Sequence, residues 1–352
     1  IQIGVIEEIE KEGLNGRWVQ YGVDKQNQRV SLSAIEKPAE VSKPPAWSVQ
    51  QIALEAPEVK DTSILELSAL RMTDRFKYGT KAANLGELIH VLQKGSPRLV
   101  GYYRVPRAPR PDLMPFLAKF LGLSEKSSDL QDRAWEYLAQ NVKIPRGIAI
   151  PFSVQQMFLE SSPRIQQAIG KLKMALELDA REIDSLCLTL QKMIRATRIS
   201  DEIRDWIDAK LIEHMAGVSS FVVRSSSNAE DLENFSAAGI YESINHVSSA
   251  EKIFEGIKEV WASLISPRSV RLRKGAGISL DDTYMGIIIQ EEIKAEMGGV
   301  LVTANPLEAA TDFRNVYLNV SLKSVNNVVQ GDELPYQFLF NTVEGGGRTV
   351  SL

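Results

Sequence analysis

The sequence predicts an α+β or mixed α/β protein of more than one domain, and three observations carry that reading. Short apolar runs of strand length alternate with stretches whose apolar residues recur every three or four positions. No Gly-x-Gly-x-x-Gly turn joins a strand to a helix, which argues against a dinucleotide-binding βαβ unit. The 352 residues are 44% hydrophobic and 24% charged, a globular composition with enough length for two or three domains.

Each element follows from its local pattern. Val19, Tyr21 and Val23 alternate with polar or small neighbours, and Arg29 to Leu32 forms a second short run, so residues 1–35 read as a β-rich fragment. Proline and charge dominate residues 36–62, as expected of an extended linker. Leu85, Leu88, Ile89 and Leu92 fall on one helical face after Gly79. A stretch rich in proline and arginine follows, with Arg98, Arg104, Arg107 and Arg110. Ile144 to Ile150 reads as a buried strand bounded by prolines.

Three amphipathic helices come next, with stripes Ile165/Ile169/Leu172/Leu176, Ile183/Leu186/Leu190/Ile194 and Ile203/Ile207/Leu211. Phe221 to Val223 is a short strand, Ile253/Ile257/Val260/Leu264 another helix. Met285 to Ile289 and Gly299 to Val302 are central-strand candidates.

Charge and rare residues narrow the function. Lys plus Arg is 41 against 45 Asp plus Glu, which argues against a nucleic-acid binder. The four arginines between 98 and 110 read as a partner surface or an irregular insertion. Cys187 is the sole cysteine, so neither an internal disulfide nor a thiolate zinc site can form, and a reducing compartment is expected, cytoplasmic or plastid. With three histidines, His90, His214 and His246, a histidine-built metal site is not expected. No apolar run approaches the roughly 20 residues of a membrane span. The chain opens at Ile1 without a leader pattern and reads as a piece of a longer protein.

Four stretches carry chemistry. Tyr78 to Leu88 opens a helix with Lys81 in its first turn, the positive end, where a cation is unfavourable unless an anion joins it. Free N–H groups there suit phosphate; a solvated surface lysine is the other reading. Phe221 to Leu232 delivers Arg224 at a strand end, then three serines, Glu230 and Asp231. Arg224 suits planar bonding to phosphate oxygens, or it pairs internally with Glu230 or Asp231. Ser236 to Ile244 offers small residues and the Ser243 hydroxyl, or an ordinary tight turn. Met285 to Ile293 is a strand whose polar end could read a base edge through its backbone, or simply a strand reaching the surface.

In this order the stretches resemble the nucleotide-binding domain shared by phosphoenolpyruvate synthase, pyruvate phosphate dikinase, rifampicin phosphotransferase and the glucan water dikinases. The matching text is Gly79-Thr80-Lys81-Ala82-Ala83-Asn84-Leu85-Gly86, Ile144-Pro145-Arg146-Gly147 through Ile150, Val223-Arg224-Ser225-Ser226 through Glu230-Asp231-Leu232, and Ala237 to Ser243. Further matches are Trp261 to Leu264 with Arg268, Ile289-Gln290, and Gly299 to Thr303 with Asn305-Pro306.

The resemblance implies an ATP-grasp-like two-subdomain nucleotide-binding fold. Residues 63–215 would be the first subdomain, with an insertion at 93–143, and residues 216–352 the second. It implies phosphate passing from ATP, with Mg²⁺, to a histidine on a separate swivelling domain, then to pyruvate, a glucan or a small molecule. Residues 1–35 loosely resemble the tail of such a domain. Lys81 and Arg224 would hold phosphates and serve as the catalytic cations. Gly239, Ile240 and Ser243 would cradle phosphates, while Gln290, Glu292 and Ile293 would line the adenine end. One position departs. Asn326 stands where the family carries a metal-binding glutamate, so the alternative is a nucleotide-binding or regulatory module without turnover.

Overall fold

The computed structural model describes residues 13–14, 18–24, 29–35, 54, 56–94, 114–232, 235–236, 239–303, 305–306, 315–322, 335–341 and 346–351. Asn326, most of the 36–62 linker and the arginines between 98 and 110 lie outside these residues. At the N-terminal end β1 (Trp18–Asp24) and β2 (Arg29–Ile35) pair as an antiparallel ribbon.

The central sheet has five strands in the order β3 (Leu65–Glu66), β4 (Gly147–Ile150), β9 (Met285–Glu291), β5 (Phe221–Ser227) and β8 (Ser243–Val247). Every neighbouring pair in it is antiparallel. That settles the class as α+β, because a doubly wound α/β fold needs parallel strands. Its strands come from both sides of residue 215, so one sheet spans that boundary. In β9 every residue from Met285 to Gln290 is buried, as a strand covered on both faces requires.

One face packs against five helices: α5 (Phe152–Glu160), α6 (Pro163–Glu177), α7 (Ile183–Ala196), α8 (Asp201–His214) and α9 (Ala250–Ser263). Ile148, Ile150, Val223, Ile287 and Ile289 from the sheet meet Phe158, Leu172, Leu190, Ile207 and Trp261 there. The three stripes read from the sequence are the buried faces of α6, α7 and α8. Serine caps fix where helices start. Ser162, Ser200, Ser249 and Ser266 each accept the N–H three residues on, beginning α6, α8, α9 and α10 (Pro267–Gly275). Pro163 and Pro267 sit in the first turn, where no intrahelical N–H partner is lost.

The opposite face carries a smaller cluster in which Ala149 and Ile288 meet Leu67, Leu70, Tyr78 and Ala82. The last two come from α1 (Arg75–Tyr78) and α2 (Thr80–Lys94). Two further helices, α3 (Met114–Leu121) and α4 (Leu130–Asn141), occupy the 93–143 insertion. A separate antiparallel sheet joins β10 (Met297–Val302), β11 (Asn315–Leu322), β12 (Tyr336–Asn341) and β13 (Gly347–Ser351). A short ribbon pairs β6 (Asp231–Leu232) with β7 (Phe235–Ser236). Among the described residues no helix is long and apolar enough to cross a membrane.

Candidate nucleotide site

The site begins with an unusually close approach between α2 and β5. Gly79 joins α1 to α2 at φ +86°, and a Cβ there would lie 2.2 Å from the Ser226 carbonyl oxygen. Only glycine tolerates both constraints. The approach lets Ser226 Oγ accept the Ala82 N–H at 3.0 Å, so β5 itself caps the first turn of α2. One of the N–H groups that the sequence reading left free for phosphate is therefore already satisfied.

Lys81 sits beside that cap. Its Nζ lies 2.5 Å from Glu230 Oε1 and donates to Ser225 Oγ at 3.3 Å. The Lys81 side chain is 33% accessible, whereas Glu230 is 2% exposed. The anion that a cation at a helix N-terminus demands thus comes from within the chain. Glu230 also accepts the Ser227 N–H at 3.4 Å through its other oxygen.

Arg224 finds a neutral partner instead. Its Nη1 donates to Gln290 Oε1 at 3.2 Å, and Gln290 Nε2 donates to the Pro145 carbonyl at 3.1 Å. Burial pulls the guanidinium below its usual pKa, and the charge of Glu230 partly opposes that shift. Arg224 is opposite Ile288 on β9 and Ser243 on β8. Opposed residues of an antiparallel pair point to one face, and Ile288 packs against Tyr78 and Ala82. Arg224 and Ser243 therefore share the face that α2 reaches.

The remaining predicted residues divide. Gly239 is exposed at φ +70° and Ser243 is exposed. Ile240 packs with Tyr241, Ile278, Ala276 and Leu54, so its side chain is used internally. Gln290 is buried and holds Arg224, an arrangement suited to aiming the guanidinium. Glu292 is committed locally: its carboxylate accepts from the Ser220 hydroxyl at 2.5 Å and the His246 N–H at 3.2 Å, and pairs with His246 Nδ1 at 2.9 Å. Its own N–H donates to the Ser220 carbonyl at 2.9 Å. Ile293 is 58% exposed. Asn326 lies outside the described residues.

Sequence reasoning missed the assignment of Glu230 to Lys81, having offered it to Arg224. The signal was present, since a cation in the first turn of α2 needed a carboxylate from somewhere. It also missed that His246 and Ser220 occupy Glu292. A protein-built magnesium cage does not fit the described residues: no set of three His, Cys, Asp or Glu converges, and the buried carboxylate beside the cations is taken by Lys81.

Fold and site together define a class: an α+β domain that brings a lysine, paired with Glu230, and a half-buried arginine to one sheet face. The comparisons make the class particular: the chain belongs to the family described as pyruvate phosphate dikinase, AMP/ATP-binding domain, matched over residues 125–346. That stretch holds Arg224 and Glu230; Lys81 lies before it. A rifampicin phosphotransferase of Streptomyces sp is 28% identical over 166 residues, 47% of this chain and 19% of that protein. A phosphotransferase of Bacillus subtilis (strain 168), YvkC, is 34% identical over 142 residues, 40% of this chain and 17% of that protein. A probable phosphoenolpyruvate synthase of Pyrococcus horikoshii is 29% identical over 166 residues, 46% of this chain and 20% of that protein. The chain thus spans about a fifth of the length of these relatives.

Proposed function

We propose that this domain binds ATP, as its magnesium complex, on the sheet face carrying Lys81, Arg224 and Ser243. Phosphate then passes to a histidine on a separate swivelling domain and onward to an acceptor. In this ATP-grasp-like reading the five-stranded sheet and its helices form one lip, and the β10–β13 sheet the other. The single observation that carries the proposal is Arg224, a largely desolvated cation whose hydrogen-bond partner Gln290 is neutral. Such a group is costly unless an anion completes it, and phosphate oxygens match guanidinium geometry. Lys81 supplies a second cation, and the exposed Gly239–Ser243 turn supplies backbone N–H groups. The relatives named as phosphotransferases support a group-transfer role for the whole protein.

Calorimetric ATP titration tests the reading. Arg224→Ala should weaken binding by about 1.5–3 kcal/mol, the scale of a charge-assisted hydrogen bond; equal affinities in the variant and the natural chain would refute it. Because His90, His214 and His246 lack the glycine- and threonine-rich setting of the family's phosphohistidine, labelled ATP should leave no acid-labile phosphate on this chain alone. Stoichiometric label on any of the three would overturn the separate-acceptor step.

Asn326 supports a second reading, in which the domain binds nucleotide without turnover. A neutral amide brings no charge to a hard divalent ion. Under that reading ATP binding depends weakly on Mg²⁺, and ordinary metal dependence, unchanged in Asn326→Ala, selects against it.

A further inference from the structure

From Met285 to Ile289 the strand β9 carries only apolar side chains or none, and Gln290 is its first polar residue. Gln290 is nevertheless 5% exposed. A buried amide is costly unless its groups are hydrogen-bonded, so its value lies in what it bonds. Both ends are used. Nε2 donates to the Pro145 carbonyl at 3.1 Å, and Oε1 accepts from Arg224 Nη1 at 3.2 Å. A carbonyl oxygen only accepts and a guanidinium only donates, so the amide fits one way round.

The Pro145 end is fixed to β9 independently of the amide. The Glu291 N–H donates to the Arg146 carbonyl at 2.8 Å, and Arg146 Nε pairs with Glu291 Oε2 at 3.3 Å. Gly147 lies opposite Gln290 in the β4–β9 register, so close that a Cβ there would sit 2.9 Å from the Ile289 carbonyl oxygen. The amide therefore hangs from a fixed carbonyl and holds the guanidinium at its other end.

Its neutrality decides a charge as well. Glu291 faces the other side of the sheet and is paired with Arg146. Glu230 is paired with Lys81, and Glu292 with His246. Burial disfavours the charge of Arg224, and Glu230 opposes that from beyond its own ion pair. A glutamate at position 290, equal in length, would hand the guanidinium a carboxylate of its own.

We propose that Gln290 sets both the aim and the uncompensated charge of Arg224, and so makes this sheet face select a polyphosphate over an uncharged ligand. It is a positioning residue: its amide meets Pro145 and Arg224, not the nucleotide. The proposal deepens the nucleotide reading above and rests on it for the ligand, while the hold on Arg224 stands without it.

Two measurements on the full chain separate these layers. NMR of nitrogen-labelled arginine side chains, without nucleotide, reads the hold, the Arg224 signals being assigned by their absence from Arg224→Lys. A held guanidinium rotates slowly and shows separate Nη signals. They should be separate in the natural chain and in Gln290→Glu, and merge in Gln290→Met, which keeps the length but bonds neither partner. ATP and adenosine affinities read the consequence, adenosine by displacement of ATP. Gln290→Met, through lost aim, and Gln290→Glu, through lost charge, should each bind ATP about tenfold more weakly, the scale of one lost hydrogen bond to a charged group. Adenosine should be unchanged in both, a separation that a merely structural role does not produce.

Separate Nη signals that survive Gln290→Met overturn the hold. Natural ATP affinity in Gln290→Glu overturns the charge role, and an equal loss for ATP and adenosine shows Gln290 meeting the base instead, which overturns the proposal. A natural chain that binds no ATP refutes the nucleotide reading and the selection together, while the Arg224 signals still decide the hold. Should Gln290→Met fail to fold, Gln290→Glu, which keeps the shape of the side chain, carries the affinity test.

Discussion

Removing Lys81 alone should cost the fold more than removing both members of its ion pair. In Lys81→Met, the Glu230 carboxylate, 2% exposed, loses the ammonium 2.5 Å away. A buried charge stripped of its partner costs about 3–5 kcal/mol. With 33% of the Lys81 side chain accessible, water reaches that side of the pair, so about 3 kcal/mol is expected. Glu230→Gln leaves the cation, which can turn to solvent, and should cost about 1–2 kcal/mol. Lys81→Met/Glu230→Gln removes both charges and should cost about 1–2 kcal/mol, because an ion pair exchanged for neutral side chains is often nearly neutral.

The coupling is then about 2 kcal/mol or more, well beyond the ~0.5 kcal/mol scatter of independent sites. Urea denaturation followed by tryptophan fluorescence reads all four proteins, with Trp261 buried in the main core. The reasoning fails if the double variant's loss equals the sum of the single losses, for then the pair carries no interaction worth the name.

Three further outcomes follow. Gly79→Ala should destabilise by several kcal/mol, roughly 3 or more, because both the positive φ and the 2.2 Å approach to Ser226 oppose a Cβ. Gly217→Ala, with φ +82° and open surroundings, should cost about 1–2 kcal/mol; similar losses in the two would discredit the close-contact argument. Cys187 is fully buried, and burial pushes its thiol up to about 11 from 9.0. Since an unfolded thiol ionises first, stability should be unaffected below pH 9 and fall from there to about pH 11. Cys187→Ala should lack that part of the slope, and a native thiol labelled as fast as a free one at about pH 8 would contradict it. Finally, Asn326→Glu should strengthen the Mg²⁺ dependence of ATP binding, measured by titration with and without the metal; an unchanged dependence argues that another group meets the ion.

Local pattern was enough for four of the five helices on the main core, α6 to α9, because each carries its own apolar stripe and three of the four also carry their own serine cap. It was not enough for α5, which starts directly after Pro151 with a nearly all-buried first half and so shows no stripe. Nor could it show that β3 and β4 join β5, β8 and β9 in one sheet, since that pairing joins residues more than a hundred positions apart. The same limit shaped the site. Lys81 and Arg224 stood out as residue types in context, yet which of them owns Glu230 depends on the Gly79–Ser226 approach, a contact between segments 147 positions apart. Gln290 was placed at the adenine end by the resemblance alone, and local pattern could not show that its side chain is held between Arg224 and the Pro145 carbonyl.

The charges on the sheet face then set what the site can accept. Lys81 and Arg224 bring two cations, and Glu230, bonded to the first and felt by the second, brings one carboxylate. The positive end of α2 adds to the same side, although Ser226 has already satisfied the Ala82 N–H. Among these three groups one positive charge is left over, next to a half-buried guanidinium whose charge burial disfavours. A neutral ligand would leave that excess uncompensated. A free carboxylate would meet it with one charge, whereas in the proposed reading a polyphosphate would place oxygens on Arg224, on Lys81 and along the Gly239–Ser243 turn together. Under the proposed reading Glu230 would not have to leave, because a third of the Lys81 side chain stays accessible while its ammonium is paired. On that argument Glu230 would hold the ammonium in place for the phosphates as well as neutralising it. The same side chain that stabilises the fold there would also prepare the proposed site.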